Sequence, residues 1–244
     1  MQMSDADFKS YLSKAFRENG LSQYLSLEVS EKLLLLTKRM LEENEKYNLT
    51  AITDPKKIII NHYADCVMLA KRLKGGRVID VGCGAGFPTL PMAIVNKNIK
   101  ILAIDSTAKR VDYVKETAEL LGLDNVETLT VRAEDGARLT EYREQFDYAV
   151  ARAVAEMRVL SELCLPYVKV GGKMIAMKGK NAEFELKSAR KALSILGAGE
   201  ARCEQITLIG EGESFSHPLI EVSKKSKTPA VYPRPYAKIS KSPL

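Results

Sequence analysis

No stretch of the 244-residue chain approaches the ~18 consecutive apolar residues of a membrane span. The opening MQMSDADFK lacks the basic-then-apolar order of a secretory signal. Both absences point to a cytoplasmic protein without membrane attachment. Cys66, Cys83, Cys164 and Cys203 lie far apart, form no CxxC pair and have no histidine beside them. Neither a disulfide framework nor a metal site is expected, and the thiols read as buried and reduced. What is present suits a folded chain: 45% hydrophobic and 28% charged residues suffice for one large core with a smaller appended unit.

The charge is unevenly placed. Of a net +6, nearly all lies between Glu221 and Leu244, where Lys224, Lys225, Lys227, Arg234, Lys238 and Lys241 face the one anion Glu221. A basic, proline-containing end on a neutral body suits a polyanion such as nucleic acid, and also suits a solubilising tail.

Phe8, Tyr11, Leu12, Ala15 and Phe16 fall on one helical face, and Gly20 ends that helix. The pattern predicts a second helix capped by Ser30 that carries Leu33, Leu36, Met40 and Tyr47 inward. A third starts at Pro55, with a stripe of Ile59, His62, Tyr63, Cys66, Val67, Ala70 and Leu73, and stops at Gly75 and Gly76. Residues 1–75 therefore read as a helical extension packed on the main domain.

From Arg77 strands and helices alternate. RVIDV, KILAID, VETLTV, FDYAVA and GGKMIAMK read as strands, with helices from Pro88 to Val95, from Thr107 to Leu121, around Val159, Leu160 and Leu163, and from Glu183 to Leu196. That rhythm implies an α/β fold with a mostly parallel sheet. ARCEQITLI and HPLIEVSK, joined only by GEGESFS, cannot be linked by a crossover, so the sheet ends in an antiparallel hairpin. Residues 76–223 form this domain and 224–244 the basic tail.

The organising stretch is VIDVGCGAGFPTLP, Val78 to Pro91: strand, glycine turn, helix. Gly82, Gly84 and Gly86 allow positive φ and close approach of a ligand to bare backbone. The spacing is G-x-G-x-G with Phe87 in the sixth place, whereas a pyrophosphate site needs G-x-G-x-x-G. This favours S-adenosylmethionine, which has no phosphate; a nicotinamide or other nucleotide site, or a plain tight turn, remain the alternatives. Asp105, 23 positions beyond Gly82, is placed to accept hydrogen bonds from ribose hydroxyls, and the turn from Arg132 to Asp135 can meet adenine through a backbone N–H and a carboxylate. A parallel sheet closed by a hairpin is the Rossmann-like layout of class I methyltransferases.

The acceptor is narrowed by what is missing. Pyrimidine C5 needs a cysteine nucleophile, and no cysteine ends the fourth or fifth strand. Exocyclic amines usually require an Asn/Asp-Pro-Pro-aromatic loop, where this chain has Ala151-Arg152-Ala153-Val154. Guanine N7 fits what is left: its lone pair is free, and catalysis reduces to alignment and exclusion of water, with no general base.

EKYNLTAI, His62 with Asp65, VIDVGCGAGFPTLPMAI, DSTAKRVDYV, VRAED, VARAVAEM, MKGK and the terminal YPR…KSPL resemble, in order, the bacterial small-subunit rRNA guanine-N7 methyltransferases of the glucose-inhibited-division protein B family. The resemblance implies S-adenosyl-L-methionine as methyl donor and, as partner, a guanine in the decoding-region loop of 16S rRNA or of a small-subunit precursor; separately, a monomer is expected. It also implies that Gly82 and Phe87 border the methionine and ribose, that Ala133 and Glu134 hold the adenine, and that Arg152 reaches the donor. Departures are Cys66 and Cys83 in place of smaller or hydroxyl residues, Ala237 for glycine, and Pro235 and Tyr236 for smaller or less rigid neighbours.

Each candidate has a plainer reading. His62 on an apolar stripe can be a core histidine bonded to Asp65 or backbone, and Arg152 can pair with Glu134 or Asp135. Asn48 and Thr50 can form a turn only. Lys178 and Lys180, on the substrate side of the sheet, and Arg234, Lys238 and Lys241 in the tail are candidate RNA contacts or solvated cations. A small-molecule methyltransferase and a non-catalytic RNA-binding protein on the same fold are the competing functions.

Overall fold

The computed structural model describes residues 3–47 and 49–244, apart from the side chain of Tyr47. The expectations for Tyr47 and Asn48 therefore lie outside the described residues. Helix α1 (Asp5–Glu18) is capped by Ser4, whose hydroxyl accepts the Asp7 N–H at 3.1 Å, and it buries Phe8, Leu12, Ala15 and Phe16. Helix α2 (Leu27–Tyr47) starts earlier than Ser30 suggested. Ser26 is the capping residue, accepting the Val29 N–H at 3.2 Å, and Ser30 lies buried inside the first turns.

Asp54 caps α3 (Pro55–Ile58), accepting the Lys57 N–H at 2.9 Å. The chain then runs through a π-helical segment (Ile59–Ala64) into α4 (Asp65–Ala70). Such wide turns are uncommon and gather at functional sites; this one carries His62. The whole expected stripe from Ile59 to Leu73 is buried.

The remaining elements are β1 (Gly76–Val81), α5 (Thr89–Val95), β2 (Ile99–Asp105), α6 (Ala108–Leu120), β3 (Val126–Thr130), the short α7 (Ala133–Gly136), β4 (Phe146–Arg152), α8 (Met157–Cys164) and β5 (Val168–Met177). The single helix expected over Glu183 to Leu196 is two, α9 (Ala182–Ser188) and α10 (Arg190–Ile195), broken at Ala189 with no glycine or proline to announce it. Strands β6 (Ala198–Gly210) and β7 (Glu213–Lys224) and helix α11 (Tyr236–Lys241) complete the chain. The hairpin link is far shorter than GEGESFS: only Glu211 and Gly212 join the strands, both at positive φ (53° and 81°), which matches the twist of paired strands.

The seven strands are ordered β3-β2-β1-β4-β5-β7-β6, with β7 antiparallel to both of its neighbours and every other pair parallel. Alternate residues serve two cores. Val78, Ile101 and Ile175 face the N-terminal helices, whereas Ile79, Leu102 and Met174 face α8 and its neighbours. Because β2 and β4 flank β1 and lead away in opposite directions, a crevice opens beyond their carboxyl ends.

The residues after β7 are fastened to the domain. Arg143 donates to the carbonyls of Thr228 and Tyr232 at 2.9 Å each, and Arg138 donates to that of Pro233. Arg234 grips Glu162 of α8 with its Nε at 2.9 Å and Nη2 at 2.6 Å, and Ile239 is buried. Lys224 is buried as well, donating to the Leu165 carbonyl at 2.7 Å, and burial lowers its ammonium pKa to about 8.

Candidate functional site

At the crevice the glycine turn leaves β1 and tucks under the end of β2, where the Ile104 carbonyl accepts the N–H groups of both Gly82 and Cys83 at 2.9 Å. At Gly82 (φ +80°) any other residue is strained, and an added Cβ would lie 2.9 Å from the Val154 side chain, which would have to shift. Asp105, only 7% exposed, is oriented through both oxygens, Oδ2 accepting the Gly84 N–H at 3.2 Å and Oδ1 the Thr107 N–H at 2.9 Å, with Arg110 at 3.6 Å.

These residues line a cavity of about 860 Å³. Of the sequence-derived donor residues it brings together Gly82, Gly84, Phe87, Asp105, Ala133, Glu134 and Arg152. Gly86 is not among the lining residues; a Cβ there would meet Leu90 at 2.5 Å, so its role is packing of α5 against the turn. α7 presents Ala133 and Glu134, and the Tyr167 hydroxyl anchors it by donating to the Ala133 carbonyl at 2.7 Å.

Arg152 does not pair with Glu134 or Asp135. Its Nη2 donates to the Asn61 carbonyl at 2.7 Å and to His62 Nδ1 at 3.1 Å, and lies 3.7 Å from Asp65. His62 in turn stacks on Phe87 with ring centroids 4.5 Å apart, and its Nε2 is 3.2 Å from the Thr50 hydroxyl. Nδ1 accepts from Arg152, so the proton of the neutral ring is on Nε2. Burial, reinforced by the Arg152 guanidinium, lowers the His62 pKa to about 4. His62 is thus buried, as the plainer reading expects, but it is not bonded to Asp65, and it lines the cavity.

Asp65 is instead bonded to His217 Nδ1 at 3.2 Å, and that hydrogen bond raises the His217 pKa above its ordinary value. Sequence reasoning missed His217. It reaches Asp65 only through the register of β7, where Met177 of β5 lies opposite Leu219. Arg152, Asp65, His217 and Lys178 line a second cavity of about 210 Å³, which shares Arg152 and Ala153 with the first.

Beneath the turn, Asp80 is fully buried. Its Oδ2 accepts the Thr89 hydroxyl at 2.6 Å, its Oδ1 has no partner, and burial raises its pKa to about 7. Burial likewise pushes the thiols of Cys66, Cys83 and Cys164 far above their usual range. No group of acidic, histidine or cysteine residues suited to a metal ion occurs among the described residues. None of the described helices is long and apolar enough to cross a membrane.

The candidate RNA contacts divide. Lys180, Lys238 and Lys241 are exposed. Lys178 is held by the Ala155 carbonyl and Glu185, each at 2.6 Å, and Arg234 by Glu162.

A cradle of bare backbone, a carboxylate at the end of β2 and an acidic turn after β3 are the groups that the sequence reading expects of an S-adenosylmethionine site. The fold is that of the class I S-adenosylmethionine-dependent methyltransferases. Similar solved structures include a SAM-dependent O-methyltransferase from Thermotoga maritima (TM-score 0.52, 17% identity, covering 77% of this chain and 72% of that one). Another is M. jannaschii TYW2 in complex with AdoMet (TM-score 0.50, 16% identity, covering 66% and 76%). At such identities the likeness is one of fold.

The sequence is more specific. Residues 29–208 match the GidB family model, described as rRNA small subunit methyltransferase G. Curated relatives named Ribosomal RNA small subunit methyltransferase G include one from Clostridium perfringens (strain 13), 44% identical over 217 residues, 88% of this chain and 90% of that protein. One from Clostridium botulinum (strain Alaska E43) is 43% identical over 240 residues, 97% and 99% of the two chains. The chain belongs to the GidB family.

Proposed function

We propose that this protein transfers the methyl group of S-adenosylmethionine to guanine N7 in the decoding-region loop of 16S rRNA, acting as a monomer on the rRNA or on a small-subunit precursor. The observation that carries the reading is the convergence of Asp105, Glu134 and Arg152 on one cavity at the glycine turn, in a chain of this family. The bound donor supplies an electrophilic methyl on a positively charged sulfur. Asp105 accepts from the ribose hydroxyls, Ala133 and Glu134 hold the adenine, and Gly82 lets the backbone meet the methionine portion.

Arg152 and Ala153 form the junction with the smaller cavity, which is sized for a single base and is where the acceptor enters. Two features favour N7 over other acceptors. Cys83, the cysteine among the cavity's lining residues, is 1% exposed and held as a thiol, so it offers no nucleophile for pyrimidine chemistry. His62 spends Nδ1 on Arg152, and N7 carries no proton for it to remove. The chain's contribution is alignment and exclusion of water.

The test is tritium transfer from labelled donor to small-subunit rRNA lacking the mark, with the nucleotide located by cleavage at N7-methylguanine and primer extension. A labelled guanine in the decoding loop is expected. Label in another base or position, or no transfer to RNA or precursor particles, would sink the reading.

A further inference from the structure

The segment after β7 brings one aromatic side chain to the donor cavity. Tyr236, the first residue of α11, is among the cavity's lining residues and is 43% exposed. Leu163 of α8 and Ala133 and Glu134 of α7 line the same cavity, and α8 packs against both α7 and α11. The four side chains therefore come from neighbouring elements on the side of the crevice assigned to adenine.

The placement of Tyr236 is not left to a loose end. Two residues before it, Arg234 clasps the buried carboxylate of Glu162, with two Arg234–Glu162 contacts at 2.6 and 2.9 Å. Three residues after it, Ile239 is fully buried in the core that contains Leu163. Tyr236 is thus held from both sides at a cavity it lines while remaining partly open to water.

We propose that Tyr236 is a donor-binding residue whose ring covers the adenine end of the cavity, so that the C-terminal segment is part of the S-adenosylmethionine site. This rests on the proposed function of that cavity as the donor site. Leu163 supplies an apolar surface inside, and Tyr236 adds an aromatic one at the rim, shielding the adenine contacts of Glu134 from solvent.

The experiment is calorimetric titration of the full chain with S-adenosylhomocysteine, comparing wild type, Tyr236→Phe and Tyr236→Ala, with thermal midpoints as the folding control. Affinity should fall about fivefold or more for Tyr236→Ala, in line with loss of one base–aromatic contact, and stay within about twofold for Tyr236→Phe. A second readout separates contact from loosening of the segment. The chain has no tryptophan, so Tyr236→Trp is a lone reporter whose emission should change saturably at the calorimetric Kd. Equal affinity of wild type and Tyr236→Ala, or tryptophan emission indifferent to saturating ligand, overturns the inference and leaves the donor site standing. Failure of the wild type to bind overturns the donor site and the inference with it.

Discussion

Asp105 accepts backbone N–H groups on both oxygens before any ligand arrives, so its removal strips an acceptor from the cavity and also frees two donors of the turns that form it. Asp105→Ala is expected to weaken S-adenosylmethionine binding by about 2–3 kcal/mol, and Glu134→Ala by about 1–2 kcal/mol, read by calorimetry. His62 and Asp80 give a pH signature of opposite signs. Folded His62 takes its proton near pH 4 and the unfolded residue near 6.5, so the unfolded chain binds more protons in that window and His62 lowers stability as pH falls. Folded Asp80 is protonated below about 7 and unfolded Asp80 only below 3.8, so its contribution is fully present below 3.8 and lost as pH rises through 7. Between pH 5 and 7 each amounts to roughly 2 kcal/mol. The two nearly cancel in the wild type. Urea unfolding should expose them separately: from pH 7 to pH 5 the wild type loses stability relative to His62→Gln and gains it relative to Asp80→Asn.

At the scale of elements, the clasp between α8 and the C-terminal segment is a buried ion pair, with Glu162 at 0% exposure and Arg234 at 12%. Arg234→Ala leaves that carboxylate without its counter-ion, held only by the backbone N–H of residue 234 at 2.7 Å, and is expected to cost about 3 kcal/mol in urea denaturation, whereas the double replacement Arg234→Met with Glu162→Leu should recover most of it. This pairing shows where sequence reading stops. The glycine turn, Asp105 and the Arg132-Ala133-Glu134-Asp135 turn were legible because each is local: a strand, a tight turn and a side chain within a few residues. Arg234 looked like a phosphate contact because its partner is 72 residues away on a helix whose inward face cannot be read from charge alone. His217 was invisible for the same reason, being carried to Asp65 by hairpin register. The break at Ala189 and the choice of Ser26 over Ser30 as cap were hidden differently, since tertiary packing chose between local options that composition leaves equal.

For the whole molecule, the basic excess of the C-terminal segment is less available than its count suggests. Lys224 and Arg234 are consumed internally, while Lys225, Lys227, Lys238 and Lys241 face solvent, as does Lys180 after β5. Neutralising Lys180, Lys238 or Lys241 should weaken rRNA binding and reduce the slope of log affinity against log salt by about 0.7–0.9 per contact. Lys178→Ala and Arg234→Ala should leave that slope unchanged, because those charges already have partners; fluorescence anisotropy across a salt series distinguishes the two groups. The clasp also sets a timetable for synthesis. Glu162 leaves the ribosome's catalytic centre 72 residues before Arg234, which at about 5–20 residues per second is roughly 4–14 seconds. During that interval the nascent domain holds a carboxylate it cannot bury with its partner, so α8 can settle into its final position only after Arg234 has been made.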